Sequence, residues 1–405
     1  MKLTGFCISL LLLGVMANTR AISQSCPNAV DYIDPTYGSR IRQLEKPDGH
    51  EHNLYHYRDP WNANNTYMVG VQSDRQQQNW RVVLYDGDGC FIKQLWTLDQ
   101  YDWRLVWDRH DPDILYTWKF SDLYRYNVVS GMAELLKSFA PLRISPAGPS
   151  VNQAGDRILV ITNDGAFHSY YLPDMQDERT FRPSFPAGCS PSADNKERYI
   201  GYKNYIVTAC FSNDGATRAM FIYDDTGVLF HQFDGLAHGH ADFSPDGKFA
   251  YPRMWDGGRG GASSSPLEVH VVNIDGTNDQ ALYSIPQSQA KYVQNFHITW
   301  PKRVNDWLIV SLFPSAGNLP PTYAPPLDEI LLVHTDGTYE FLARTGTSIT
   351  TRGEMFWAEP LASPSSDGKR VSFNSNRSGT IDQCILFVDR EGAMGWSTPD
   401  LLRKL

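Results

Sequence analysis

The chain has 405 residues, a formal net charge of −9, and 41% hydrophobic against 20% charged residues. That is a globular balance with ample length for a large core, and its acidity argues against nucleic acid as a partner. Aromatics at 13%, with 31 Gly and 25 Pro, lean towards a turn-rich β protein.

The first segment, "MKLTGFCISLLLLGVMANTRA", carries one Lys, an apolar run from Phe6 to Met16, and small residues near Ala17 and Ala21. It reads as a secretory signal peptide over 1–21, so 22–405 is expected to be a single exported domain, secreted or, in a Gram-negative host, periplasmic. No later stretch is long and apolar enough to span a membrane. Losing the signal removes Cys7 and leaves Cys26, Cys90, Cys189, Cys210 and Cys384. Cys189–Cys210 is the expected disulfide, because a neighbouring strand pair would hold both ends. Cys26–Cys90 is an alternative, and Cys384 is expected as a buried thiol.

Further along, "FSPDGKFAY" at 243–251 combines turn chemistry with an alternating apolar strand. It has echoes in "PWNANNTYMVGV" at 60–71, "VWDRHDPDILYTW" at 106–118, "VNQAGDRILVIT" at 151–162 and "PSSDGKRVSF" at 364–373. Looser versions at 191–202 and 299–312 bring the count to seven. Most units continue into a strand–turn–strand hairpin such as "MFIYDDTG" or "VHVVNIDGT". Seven such units without a long amphipathic helix predict an all-β, seven-bladed β-propeller. The blades are expected near 54–98, 101–140, 147–184, 187–234, 238–285, 294–344 and 354–393. Residues 37–46 are placed to close the ring against the last blade. Inserts at 256–266 and 314–326 are expected to project as loops from one face.

Aligning the units on the residue before each turn exposes two further positions that share strand parity. One holds Arg58, Arg104, His240 and His297; the other holds His56, Asp102, His238 and Glu359. Both sets are expected to line the central channel. Converging cations suit a carboxylate, sulfate or phosphate, and mixed His and carboxylate is also a metal constellation.

Read this way, the chain resembles the TolB-like propellers through "HADFSPDGKFAY", and "SPSSDGKRVSFNSNRSG" resembles the final blade of oligogalacturonate lyases and related propeller polysaccharide lyases. The resemblance implies a divalent metal held by a final-blade Gln-x-x-His-x-His pattern and an earlier-blade His. The matching final-blade positions here are Phe356, Glu359 and Leu361, of which only Glu359 can ligate, and His297 stands for the earlier-blade ligand. That departure points away from oligogalacturonate itself and leaves other uronate glycans, such as ulvan or rhamnosyl-glucuronate chains.

The expected function is therefore a secreted polysaccharide lyase acting on an anionic uronate glycan by β-elimination. Arg58 and Arg104 are candidates to neutralise the uronate carboxylate, His240 or His297 to take the α proton, and Tyr251 to act as acid. Arg253, His56 and Trp357 complete the substrate-binding set. Calcium or manganese at His238, His240 and Glu359 is the alternative neutraliser. A non-catalytic glycan- or protein-binding propeller and a glycoside hydrolase built on Asp102 and Glu359 are the rival readings. The composition fits a monomer.

Overall fold

The computed structural model describes residues 26–45, 49–98, 105–187, 189–191, 197–212, 218–234, 240–253, 267–285, 287–290, 293–314, 327–347 and 355–388. They form seven antiparallel sheets arranged as a seven-bladed propeller. The expected signal peptide and most of the two inserts lie outside the described residues.

Blade 5 shows how the repeat folds. The short inner strand Asp242–Phe243 pairs with Lys248–Arg253, which pairs with Leu267–Asn273 and then Gln280–Ile285. The turn between the first two strands is closed by Gly247 donating its N–H to the Ser244 carbonyl at 3.2 Å. Gly247 has φ of +86°, and a Cβ there would meet the Tyr202 ring of blade 4 at 2.9 Å, so only glycine fits. The outer hairpins reuse one device: Asp224, Asp275 and Asp336 each accept the amide N–H of a threonine two residues on, at 2.9, 3.0 and 2.9 Å.

The hydrophobic core lies between blades, and strand period explains how one sequence serves two neighbours. Trp307–Pro314 of blade 6 is buried along its whole length. Leu308, Val310 and Leu312 pack with Ala250, Val269 and Val271 of blade 5. Trp307 and Ile309 point the other way and join Val371 and Phe373 of blade 7. Successive side chains of a strand leave on opposite faces, so a continuous apolar run is what a sheet buried on both sides requires.

The ring closes through its two ends. Strand Arg40–Gln43 pairs with Asp382–Phe387, placing Ile41 opposite Leu386, and Val30–Ile33 adds a fifth strand to the same sheet. Cys26 is disulfide-bonded to Cys90 of blade 1. Cys210 is also disulfide-bonded. Cys189 sits on the adjacent strand, with Pro191 opposite Cys210, and its side chain is outside the described set. Cys384 is a buried thiol.

Candidate functional site

Each inner strand runs down the channel wall, and the residues just before it collect at one end of the axis. His297, within strand Val293–Thr299 of blade 6, stands at the centre of this group. Its ring centroid lies 4.4 Å from that of His240 and 4.7 Å from that of His56. Its Nε2 is 3.5 Å from Glu359 Oε2. Four blades thus contribute one side chain each. His56 and His297 are fully buried, Glu359 nearly so, and His240 keeps partial exposure.

Hydrogen bonds between blades hold the wall on which these residues stand. Asn53 donates its Nδ2 to the Leu361 carbonyl at 2.7 Å and its N–H to Asn374 Oδ1 at 2.9 Å, tying blade 1 to blade 7. Ser363 donates to the Arg58 carbonyl at 3.0 Å, and Thr299 donates to the Ala362 carbonyl at 3.0 Å. Tyr55 adopts φ of +92°, a conformation that an L residue holds only where its surroundings over-determine it. Its ring packs edge-on to His297 at 5.7 Å and against Phe356 at 5.9 Å.

One layer deeper, the channel is filled. Arg58 donates Nη1 to the Pro149 carbonyl and Nη2 to the Ala147 carbonyl, both at 2.7 Å, and is 5% exposed. Arg198 lies over the Tyr57 ring at 3.9 Å and donates to the Ala241 carbonyl at 3.2 Å. Above the cluster sits an aromatic rim. Trp357 stacks on His52 at 3.7 Å, Trp80 lies 5.3 Å from the same His, and Phe356 is 44% exposed. Burial pushes the His52 pKa down to about 3. His52 is therefore neutral at ordinary pH, and its Nδ1–H donates to the Asn53 carbonyl at 2.7 Å.

The structure brings together His56, His240, His297 and Glu359, with Trp357 at the rim. Arg58 corrects the expectation of a carboxylate clamp, since both its outer nitrogens are already held by main-chain carbonyls of blade 3. Tyr251 is placed elsewhere: its hydroxyl donates to Asp279 at 2.9 Å and its ring packs on Phe249 and His270. Burial and the Asp279 carboxylate raise its pKa well above the ordinary phenol value. Arg253 is exposed at the end of its strand, opposite Glu268. Arg104, Asp102 and His238 lie outside the described residues. Leu361 is core. Tyr55, His52 and Arg198 were not expected here, and Phe356, expected only as a final-blade position that cannot ligate, stands at the rim. The aromatic run "MFWAE" and the dense "HEHNLYHYR" segment are the signals that mark them.

Comparison with solved structures finds the same architecture in an oligogalacturonate lyase in complex with manganese, with a TM-score of 0.63, 14% identity, and 90% of this chain and 96% of that chain covered. A second oligogalacturonate lyase, from Vibrio parahaemolyticus, matches with a TM-score of 0.64, 11% identity, and 90% and 97% coverage. The sequence matches no protein-family description, and no curated protein matches it. The chain is a seven-bladed β-propeller of the architecture seen in those lyases. At this identity the likeness is one of fold.

Among the described residues, no group of three or more His, Cys, Asp or Glu side chains forms a ready-made metal cage. The cluster holds two buried imidazoles, His56 and His297, the partly exposed imidazole of His240, and the carboxylate of Glu359. The 3.5 Å between His297 Nε2 and Glu359 Oε2 is a spacing that two ligands of one ion at roughly 2.1–2.2 Å can adopt.

Proposed function

We propose that the protein is an exported polysaccharide lyase that cleaves a uronate-containing glycan at the channel mouth. The observation that carries this reading is the meeting of His56, His240, His297 and Glu359 from four blades, three of them buried and His240 partly exposed.

Elimination needs the uronate carboxylate neutralised, the proton α to it removed, and the leaving oxygen protonated. With the Arg58 guanidinium engaged, neutralisation would fall to a divalent cation at the His297–Glu359 pair, with His56 beside them. Bound there, such an ion supplies Lewis-acid polarisation of the carboxylate. His240 is the base. Its imidazole takes the α proton, the C–H electron pair becomes the ring double bond, and the bond from the β carbon to the glycosidic oxygen breaks. The imidazolium so formed returns the proton to that oxygen. Phe356 and Trp357 offer apolar faces for sugar rings. Glu359 beside His297 also orients that ring.

Export is part of the proposal. The Cys26–Cys90 disulfide is consistent with an oxidising compartment, and no helix among the described residues is long and apolar enough to cross a membrane.

The test is to incubate the purified mature protein with pectin oligomers, ulvan, glucuronan, alginate and arabinogalactan glucuronides, with and without EDTA. The readout is ultraviolet absorbance of the unsaturated uronate product. Absorbance rising on one glycan and lost in EDTA is the expected result. Reducing ends without that absorbance would mean hydrolysis. Saturable binding without turnover on any substrate would make this a binding propeller.

A further inference from the structure

The inner strands continue past the His cluster to a second opening at the far end of the axis. Val293–Thr299 carries His297 near one mouth, and Lys302 follows in the turn after the strand ends. There the turns after the inner strands surround a cavity of about 290 Å³ lined by Asp59, Trp61, Arg109, His110, Lys302 and Arg303, among others. Tyr57, Arg58 and Arg198 line a smaller adjoining pocket that shares Asp59, Trp107 and Arg109 with this cavity.

The charge of this end runs against that of the whole molecule. Arg58, Arg109, Arg198, Lys302 and Arg303 stand along the lower channel with Asp59, Asp108 and Asp242, five cations against three anions in a chain of net −9. The anions are committed. Asp242 accepts from Lys302 at 2.9 Å and from the Trp300 N–H at 3.1 Å. Asp108 accepts from Tyr116 and caps the N–H groups of His110 and Asp111. Asp59 meets Arg109 Nη1 at 2.7 Å.

Two of these cations, Arg109 and Arg303, are not fully engaged in return. Arg109 Nε is buried with no hydrogen-bond partner among the described residues, and Arg303 spends one nitrogen on the Ala63 carbonyl at 2.8 Å. A buried guanidinium N–H without an acceptor carries a desolvation penalty that an anionic oxygen would relieve. Arg109 and His110 are fixed from blade 3, where Gly155 packs directly on both and the Ala154 carbonyl accepts from His110 Nε2 at 2.6 Å.

We propose that this far mouth binds a small oxyanion of monosaccharide size, a sugar carboxylate, sulfate or phosphate, through Arg109, Lys302 and Arg303. The cavity is at the small end of ligand-site volumes, which suits one acidic sugar or a free ion and excludes a polymer.

The test is calorimetric and thermal-shift titration of the mature protein at low salt with D-glucuronate, inorganic sulfate and inorganic phosphate, and with glucose as a neutral control. We expect saturable binding of at least one anion and none of glucose, weakening as salt is added. Arg109→Gln should weaken that binding by about tenfold or more. Arg303→Gln, on an exposed side chain, provides a second variant if the first does not fold. His297→Ala should leave it unchanged, which separates this site from the proposed catalytic one. No saturable anion binding by folded protein, or anion binding that survives both Arg109→Gln and Arg303→Gln, would overturn the proposal. So would loss of binding in His297→Ala alone.

Discussion

His297 and Glu359 face each other at 3.5 Å across the boundary between blades 6 and 7. Neither strand Val293–Thr299 nor the segment after helix Met355–Ala358 would alone bring an imidazole and a carboxylate together in a buried position. The packing of the two sheets does so, and the interblade bond from Thr299 to the Ala362 carbonyl fixes their height. This pair is the natural place to perturb the proposed chemistry. Glu359→Gln keeps the shape and removes the charge. Loss of turnover on the responsive glycan should be about 10- to 100-fold, with weaker metal retention on dialysis and an unchanged circular dichroism spectrum.

His240→Ala should cost more, roughly 10²–10⁴-fold in kcat with KM little altered, because the base is lost while the proposed ion holders remain. Equal losses in kcat and in metal content would instead make His240 a ligand.

Arg58 separates a structural from a substrate-binding role. Replacing it with Met leaves the carbonyls of Ala147 and Pro149 without donors, which predicts a loss of about 2–5 kcal/mol in denaturant unfolding. If folding free energy is unchanged and only KM rises, the guanidinium belongs to the substrate after all.

His52 predicts an acid limb in stability. Its pKa is near 3 folded against 6.5 as the ordinary value, so between these values the unfolded chain binds the extra proton. The stabilisation is fully present above pH 6.5 and is lost as pH falls towards 3. At pH 5 the loss from this residue is about 2 kcal/mol. Denaturant midpoints of the wild type and of His52→Phe, followed from pH 7 to pH 4, should differ in slope, with the variant the flatter. Parallel curves would refute the assignment.

The Cys26–Cys90 bridge closes a 64-residue separation. Chain-entropy reasoning gives about 4 kcal/mol for such a loop. Cys90→Ser should lose most of that, and reductant should then have less effect on the variant than on the wild type.

The blades were legible because their turns are local. "FSPDGK" and the Asp-x-Thr hairpins declare themselves within a few residues, and the strands between them carry a period of two. The converging histidines were also legible, since their spacing from each turn repeats. What Arg58 does was not: its parity points it at the channel, but the carbonyls that capture it come from 147 and 149, some 90 positions away. Tyr251 was misread as an acid for the same reason, because Asp279 reaches it only once the third and fourth strands of its sheet are paired. Blade 1 also begins earlier than the turn pattern suggested, with His50–His52 already paired to Val71–Ser73.

The closing strand has a consequence for biosynthesis. The residues of the His cluster come from blades 5, 6, 7 and 1, which are consecutive around the ring only across the seam where Arg40–Gln43 joins Asp382–Phe387. A ribosome releasing this chain from its first residue onward makes His56 early and Glu359 late, with five blades in between. The cluster cannot assemble until the final sheet recruits a strand made at the beginning. A polypeptide interrupted before Glu359 carries most of the propeller and the His240–His297 contact, but neither the carboxylate nor the strand that closes the ring.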